Sequence, residues 1–313
     1  MNERSEPTTG AAGPLAGGGR TDTATEAFVA HRNLLFTVAY EMLGSVADAE
    51  DVLQETWLRW MKVDVEQVHD ERAYLVRIAT RRSLDRLRTM KRRKEAYVGP
   101  WLPEPLLTAP DVAEDVELAE SVSMALMLVL ETLSPTERVV FVLREAFDVG
   151  YDEIADAVGK SPAAVRQIAH RARRHVEARR PREVVSPDQA RAALESFQRA
   201  LETRDLQGLL DVLASEVVLV SDGGGVRQAA ARPIVGAGKV ARFIVGAVGK
   251  AEVALTADHT VVNGNPALLL RADGEIDGVI AIRVESGRIT GLYYVRNPEK
   301  LTRVESEIPL TLR

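Results

Sequence analysis

Arginine supplies most of the chemistry this sequence could perform, and it is unevenly spread. Between Glu71 and Glu95 stand Arg72, Arg77, Arg81, Arg82, Arg86, Arg88, Lys91, Arg92, Arg93 and Lys94, opposed only by Glu71, Asp85 and Glu95. Between Lys160 and Arg182 stand Lys160, Arg166, Arg171, Arg173, Arg174, Arg179, Arg180 and Arg182, opposed by Glu177 alone. Guanidinium forks at that density hold phosphate oxygens, so each stretch suits a polyanion even though the chain's net charge is −6. The compensating acid is gathered too: Glu41, Asp48, Glu50, Asp51 and Glu55 occupy a segment without Lys or Arg. Groups for proton transfer are scarce. His259 is the last histidine and stands alone, and Asp222 precedes Gly223-Gly224-Gly225, where a turn accounts for it better than a general base does. With 0 Cys, disulfides, thiolate metal sites and a cysteine nucleophile are excluded. No catalytic residue, metal or cofactor is expected.

The elements that must carry these residues can be read from periodicity. The 313 residues are 46% hydrophobic, enough for two or three folded domains and too much for wholesale disorder. No run approaches the roughly 20 apolar residues of a membrane span. Residues 1–22 are expected to be a disordered tail; they show no apolar core behind a basic start, so no leader is read there and a cytoplasmic location is expected. Residues 23–97 read as helices, with Phe28, Leu34, Leu35, Val38, Ala39 and Leu43 at helical spacing. Val52, Leu53, Thr56, Trp57 and Trp60 follow, and a long helix from about Glu71 to Lys94 turns its arginines outward. The spacing of Trp57 and Trp60 favours core packing over a stacking platform for bases. Gly99-Pro100-Trp101-Leu102-Pro103-Glu104-Pro105 opens a linker, 98–111.

Residues 112–182 are expected to begin with one acidic helix, Val112 to Leu133. Ser134-Pro135-Thr136-Glu137 then caps the next. Tyr151 to Val158, Gly159, and a helix from Ser161-Pro162 to about Ala178 read as a helix-turn-helix, with Arg166, Gln167, His170, Arg171, Arg173 and Arg174 outward. Residues 186–305 change character: amphipathic helices at 186–203 and 205–213, a strand at Val217 to Val220, a helix near 236–248, then strand-like runs divided by Asn263-Gly264, Asp273-Gly274 and Ser286-Gly287. Helices followed by a consecutive antiparallel meander make an α+β domain, and 306–313 reads as a tail.

Three motifs carry a family resemblance over about Thr23 to Arg180. They are Asp48-Ala49-Glu50-Asp51-Val52-Leu53-Gln54-Glu55-Thr56-Trp57, then Tyr74-Leu75-Val76-Arg77-Ile78-Ala79 running to Leu84-Asp85-Arg86-Leu87-Arg88, and Leu133-Ser134-Pro135-Thr136-Glu137-Arg138-Val139-Val140-Phe141 with Tyr151-Asp152-Glu153-Ile154-Ala155. In this order they resemble the extracytoplasmic-function (ECF) sigma factors. Trp101-Leu102-Pro103-Glu104-Pro105, Asp222-Gly223-Gly224-Gly225 and Asn297-Pro298-Glu299-Lys300-Leu301 are similar to the subgroup with a fused SnoaL-like domain, a cone-shaped α+β fold of the nuclear-transport-factor-two kind. Two positions depart from the patterns: Arg81 stands where Asn is frequent, and Val226 where Lys often follows the glycines.

The resemblance implies a multidomain chain: two all-α sigma domains, the second with the helix-turn-helix, then the SnoaL-like domain. It implies RNA polymerase core enzyme and promoter DNA as partners. Asp48, Glu50, Asp51, Gln54 and Glu55 would dock on the polymerase core; Arg77, Arg81, Arg82 and Arg88 would meet the −10 element. On the second basic helix, Arg166, Gln167 and His170 would read −35 bases, and Arg171, Arg173 and Arg174 would hold phosphates. Trp101, Leu102, Pro103, Asp222, Gly223, Gly224, Gly225, Asn297, Pro298 and Leu301 would make regulatory contacts within the chain. The rival readings are a third domain that binds or turns over a small molecule, and a helix-turn-helix repressor without a polymerase partner.

Overall fold

Gly44 and Ser45 divide the first two helices. The computed structural model describes residues 18–108, 116–179, 185–249 and 255–312. Helix α1 (Gly18–Leu43) ends at Gly44 with φ 68°, and Ser45 caps α2 (Val46–Trp60) by accepting from the Asp48 amide. The expected tail divides: residues 1–17 lie outside the described residues, and 18–22 belong to α1. Helix α3 (Glu71–Glu95) completes the unit. Trp60 is fully buried, its Nε1 donating to the Ala24 carbonyl at 2.7 Å, and Trp57 tilts against Phe28 with ring centroids 5.1 Å apart. Both tryptophans are packing residues.

The expected single helix at 112–133 is two. Residues 112–115 lie outside the described residues; α4 (Val116–Ser121) stops, and Ser123 caps α5 (Met124–Leu130) by accepting from the Leu126 amide. A serine offers the amides of a new helix a better partner than continuation offers it. Helix α6 (Pro135–Phe141) starts at a capping box between Ser134 and Glu137 and runs into a π-helical turn, Val142–Ala146. Helices α7 (Tyr151–Val158) and α8 (Pro162–Glu177) follow, separated by left-handed Gly159 and the N-cap Ser161. The two helical units share one apolar cluster: Leu35, Tyr40 and Leu75 join Val140, Leu143, Ile154 and Val165.

Helices α9 (Pro187–Glu202) and α10 (Leu206–Val212) lead into a sheet of β1 (Leu213–Asp222), β2 (Ile234–Val235), β3 (Leu255–Val262), β4 (Asn265–Ala272), β5 (Glu275–Glu285) and β6 (Arg288–Val295), with α11 (Ala237–Gly249) between β2 and β3. The strand order is β2-β1-β6-β5-β4-β3. Strands β3 to β6 form the expected meander, but β1 lies parallel to β6, with Leu219 opposite Leu292. The sheet is therefore mixed: the chain crosses over through α11 to the far edge and meanders back beside β1. One face packs Leu268, Leu270, Ile280, Ile282 and Leu292 against Leu194 and Phe197 of α9 and Val240 of α11. The alternate residues, Ala267, Leu269, Val279, Ala281, Tyr293 and Val295, form a second apolar face covered by Leu102, Met124, Ala125, Leu301 and Val304. An antiparallel meander usually wets one face; this one is dry on both.

The linker and the C-terminal stretch are docked chains. Leu107 bridges Val262 at the β3 edge, and the Thr108 amide donates to the Val261 carbonyl at 3.0 Å. Beyond β6, the expected tail returns to the first unit: the Ile308 amide reaches the Leu107 carbonyl, the Thr311 amide reaches Thr37 Oγ1, and Leu310 joins the helical core. Ile308, Leu310 and Leu312 stand at every second position, and that apolar row has a place to go. Among the described residues, no helix is long and apolar enough to cross a membrane.

Candidate nucleic-acid faces and the polar hubs behind them

Helix α8 buries Val165, Ile168, Ala169, Ala172 and Val176, which turns every intervening arginine outward. Arg166, Gln167, His170, Arg171, Arg173 and Arg174 are all exposed on that outer face. Arg173 is held by a forked pair of hydrogen bonds to Glu145, at 2.6 and 3.0 Å. The guanidinium of Arg166 lies 5.7 Å from the Tyr151 ring centre. Arg171, Arg174 and Gln167 make one exposed polar surface with the size and sign to enter a groove of duplex DNA.

On the first unit, α2 and α3 enclose an open groove of about 640 Å3. Arg59, Lys62, Arg77, Arg81 and Arg82 line it, with Tyr74 at its base and Glu55 opposed to them. Arg77 stacks over Tyr74 at 4.6 Å. Arg82 and Arg88 each pair with Asp85, at 3.2 and 3.3 Å. Arg59 and Lys62 were not singled out by sequence, because they stand outside the dense run and only the α2–α3 crossing brings them to it.

The acidic group of α2 is partly spoken for. Arg86 donates to Asp48 at 2.7 Å, also bonds Asp51, and lies 3.8 Å from Glu55. Glu50 pairs with Arg32 at 2.9 Å. Asp51, Gln54 and Glu55 remain exposed, whereas Asp48 is buried. One arginine of the basic run thus tethers α3 to α2.

Asp222 is completely buried and collects donors from three segments. It accepts from the Tyr97 hydroxyl at 2.6 Å, the Leu102 amide at 2.9 Å, the Gly224 amide at 3.0 Å and Lys300 Nζ at 2.7 Å. It is a turn residue and an ion-pair centre at once. Burial pushes Tyr97 upward, helped by its bond to Asp222, and burial lowers Lys300 despite the Asp222 charge. Asn297 Nδ2 donates to Tyr97 Oη at 2.7 Å, and Asn297 Oδ1 accepts from the Glu299 amide, capping a turn at Pro298–Lys300. Gly224, at φ 63°, lies so close to Asn297 that a Cβ would meet its Cγ at 2.5 Å. Gly223 and Gly225 complete that turn, Gly225 against Val98. Trp101 lies between two ammonium groups, Lys94 at 3.3 Å and Lys300 at 4.3 Å, with its edge on Gly44. Pro103 also lies against Gly44, and Leu102 and Leu301 fill the second face of the sheet.

A second hub escaped the sequence. Asn263, in the β3–β4 turn at φ 53°, is fully buried. Its Nδ2 donates to Tyr40 Oη at 2.7 Å and the Val122 carbonyl at 2.9 Å, and its Oδ1 accepts from the Leu106 amide at 3.1 Å. Tyr40 in turn donates to the Glu104 carbonyl at 2.6 Å. Beneath these, Ser121 donates to Glu41 at 2.8 Å, while Arg138 donates to the Glu41 carbonyl at 3.0 Å and bonds Glu131. His259 lies exposed on edge strand β3.

Residues 27–93 match Sigma-70 region 2, and residues 123–176 match Sigma-70 region 4. The chain is 37% identical over 288 residues to the Mycobacterium tuberculosis ECF RNA polymerase sigma factor SigJ, covering 88% of this chain and 92% of that one. The chain belongs to the ECF RNA polymerase sigma factors. A probable ECF sigma factor of the same organism, SigI, is 33% identical over 290 residues, covering 92% of this chain and 98% of the relative. The crystal structure of M. tuberculosis SigJ superposes with a TM-score of 0.72 at 34% identity, covering 89% of this chain and 98% of that one. This sigma factor therefore directs promoter-specific transcription initiation, and its third unit has the SnoaL-like fold, a curved mixed sheet wrapped on helices.

Proposed function

We propose that the SnoaL-like unit regulates the two sigma units in cis by holding them and their linker in one fixed arrangement. The observation that carries this is the second apolar face of the sheet, which Leu102 of the linker and Met124 and Ala125 of α5 cover. Asp222 and Asn263 then fix the register, because each buried polar group would be costly without the linker amide it accepts. Tethering favours such a contact, since linked partners meet at an effective concentration of the order of millimolar.

In this reading α8 takes the −35 element, with Arg166, Gln167 and His170 toward bases and Arg171, Arg173 and Arg174 toward phosphates. The α2–α3 groove takes the −10 strand on Arg77, Arg81 and Arg82, with Arg88 further along α3, and the exposed Asp51, Gln54 and Glu55, with Asp48 and Glu50 behind them, meet the polymerase core. The third unit is a clamp and not an enzyme: its helices and sheet fill the space between them with Phe197, Leu268 and Ile282. Promoter-dependent run-off transcription with core polymerase is the test, using the full chain, a chain cut after Val295 and one cut after Arg182. Both truncations are expected to differ from the full chain, because the first removes Asn297 and Lys300 and the second removes the whole clamp. Equal activity from all three would overturn regulation in cis.

A further inference from the structure

Arg81 stands where its family often has Asn, and the fold gives it a partner. Its Nη2 donates to the Asp156 carbonyl of α7 at 2.8 Å. The last carbonyls of a helix lack intrahelical donors. At this end of α7, the amides of Gly159 and Lys160 both go to the Ala155 carbonyl, and the Asp156 carbonyl takes the guanidinium from the first unit. A cation there also suits the helix dipole. Arg81 has a second neighbourhood as well: it lines the groove with Arg59, Lys62, Arg77 and Arg82. The seam beside it is incompletely filled. A cleft of about 320 Å3 lies between α3 and α7, walled by Val76, Leu143, Val149 and Ala157. At its edge the Thr80 hydroxyl is buried and has no partner among the described residues. The cleft is open to solvent, so the α3–α7 contact is incomplete at this end, beside the apolar core that joins the two units.

We propose that Arg81 is a latch between the two promoter-reading units, closed on the carbonyl end of α7 or open on a nucleic-acid phosphate. A phosphate offers the guanidinium two charged acceptors in place of one neutral carbonyl, so a strand entering the groove outcompetes α7 and frees the helix-turn-helix. This rests on the reading that α3 meets nucleic acid.

The chain's lack of Cys permits site-specific labelling. Donor and acceptor dyes at Glu66→Cys and Lys160→Cys, both exposed, report the distance between units in the full-length protein by single-molecule energy transfer. The probe is single-stranded oligothymidylate of about twelve nucleotides, long enough to follow such a groove. Arg81→Ala is expected to raise the ratio of open to closed molecules about threefold, as loss of one solvent-exposed hydrogen bond does. Arg81→Lys, which keeps a donor, should stay closer to the parent. Oligothymidylate should open the parent and add little further opening to Arg81→Ala. Thermal melting of each variant checks that it is folded. An unchanged distance distribution in folded Arg81→Ala overturns the latch. Oligothymidylate that binds the parent without opening it overturns the competition. Opening by Arg81→Ala with no oligothymidylate binding at all would instead refute α3 as a nucleic-acid face.

Discussion

Glu41 shows how a single carboxyl can tie assembly to pH. It sits where α1, α4 and α6 meet, and burial pushes it up to about 8, against the opposing pull of the Ser121 hydroxyl and the Arg138 charge. In the unfolded chain a glutamate titrates near about 4.3. Between those values the folded chain keeps a proton that the unfolded chain has lost. Its stabilising contribution is therefore complete below about 4.3 and is lost as pH rises through about 8. The urea midpoint of the parent should fall between pH 5 and pH 8, and Glu41→Gln should flatten that fall by up to about 1.4 kcal/mol per pH unit. Parallel profiles for parent and variant would refute it. Lys94, which burial lowers to about 8 despite Glu131, acts in the window above and with the opposite slope, so the two are separable. None of this was legible in the sequence. Glu41 reads there as one more acid before the Asp48 to Glu55 group, and only the closure of three helices removes its water.

At the scale of elements, the helix-turn-helix was readable almost to the residue because its signals are local: Gly159, Ser161-Pro162 and the apolar spacing of Val165, Ile168 and Ala172. The strands were readable as strands, yet their second function lay in plain view. Ala267-Leu268-Leu269-Leu270 and Val279-Ile280-Ala281-Ile282 are continuous apolar runs without alternation, the mark of a sheet buried on both faces. The parallel β1–β6 pairing and two-residue β2 were beyond reach, since both depend on what the crossover brings together. The β3–β4 turn read as a hairpin signal, and so it is, but it is also a plug. Gly264, at φ 70°, would drive a Cβ to 2.5 Å from Ala119 Cα. Asn263→Ala strands the Leu106 amide and the Val122 carbonyl, at about 1–3 kcal/mol for each group left unsatisfied. Amide hydrogen exchange should then speed up in residues 102–108, with α9 protected as before; Gly264→Val should do the same. Unchanged exchange in that linker would mean that the turn merely rests there.

At the scale of the molecule, the linker is the layer between sheet and sigma helices, pinned by Asp222 at one end and Asn263 at the other. The pins share no partner, so loss of one leaves the other to hold. Asp222→Asn together with Asn263→Ala should expand the particle, read as a larger radius of gyration in small-angle scattering, while either change alone does less. A double variant as compact as the parent would show that the apolar face suffices. The arrangement also has an order in time. Tyr40, Thr37 and the Val46 amide are bonded by Asn263, by Thr311 and by Glu104, so the first helices are closed over by parts of the chain made later. At about 5–20 residues per second, β6 leaves the ribosome about ten seconds after α8. For that interval the two sigma units and their linker exist without the sheet, and the linker has neither Asn263 nor the apolar face that later fixes it.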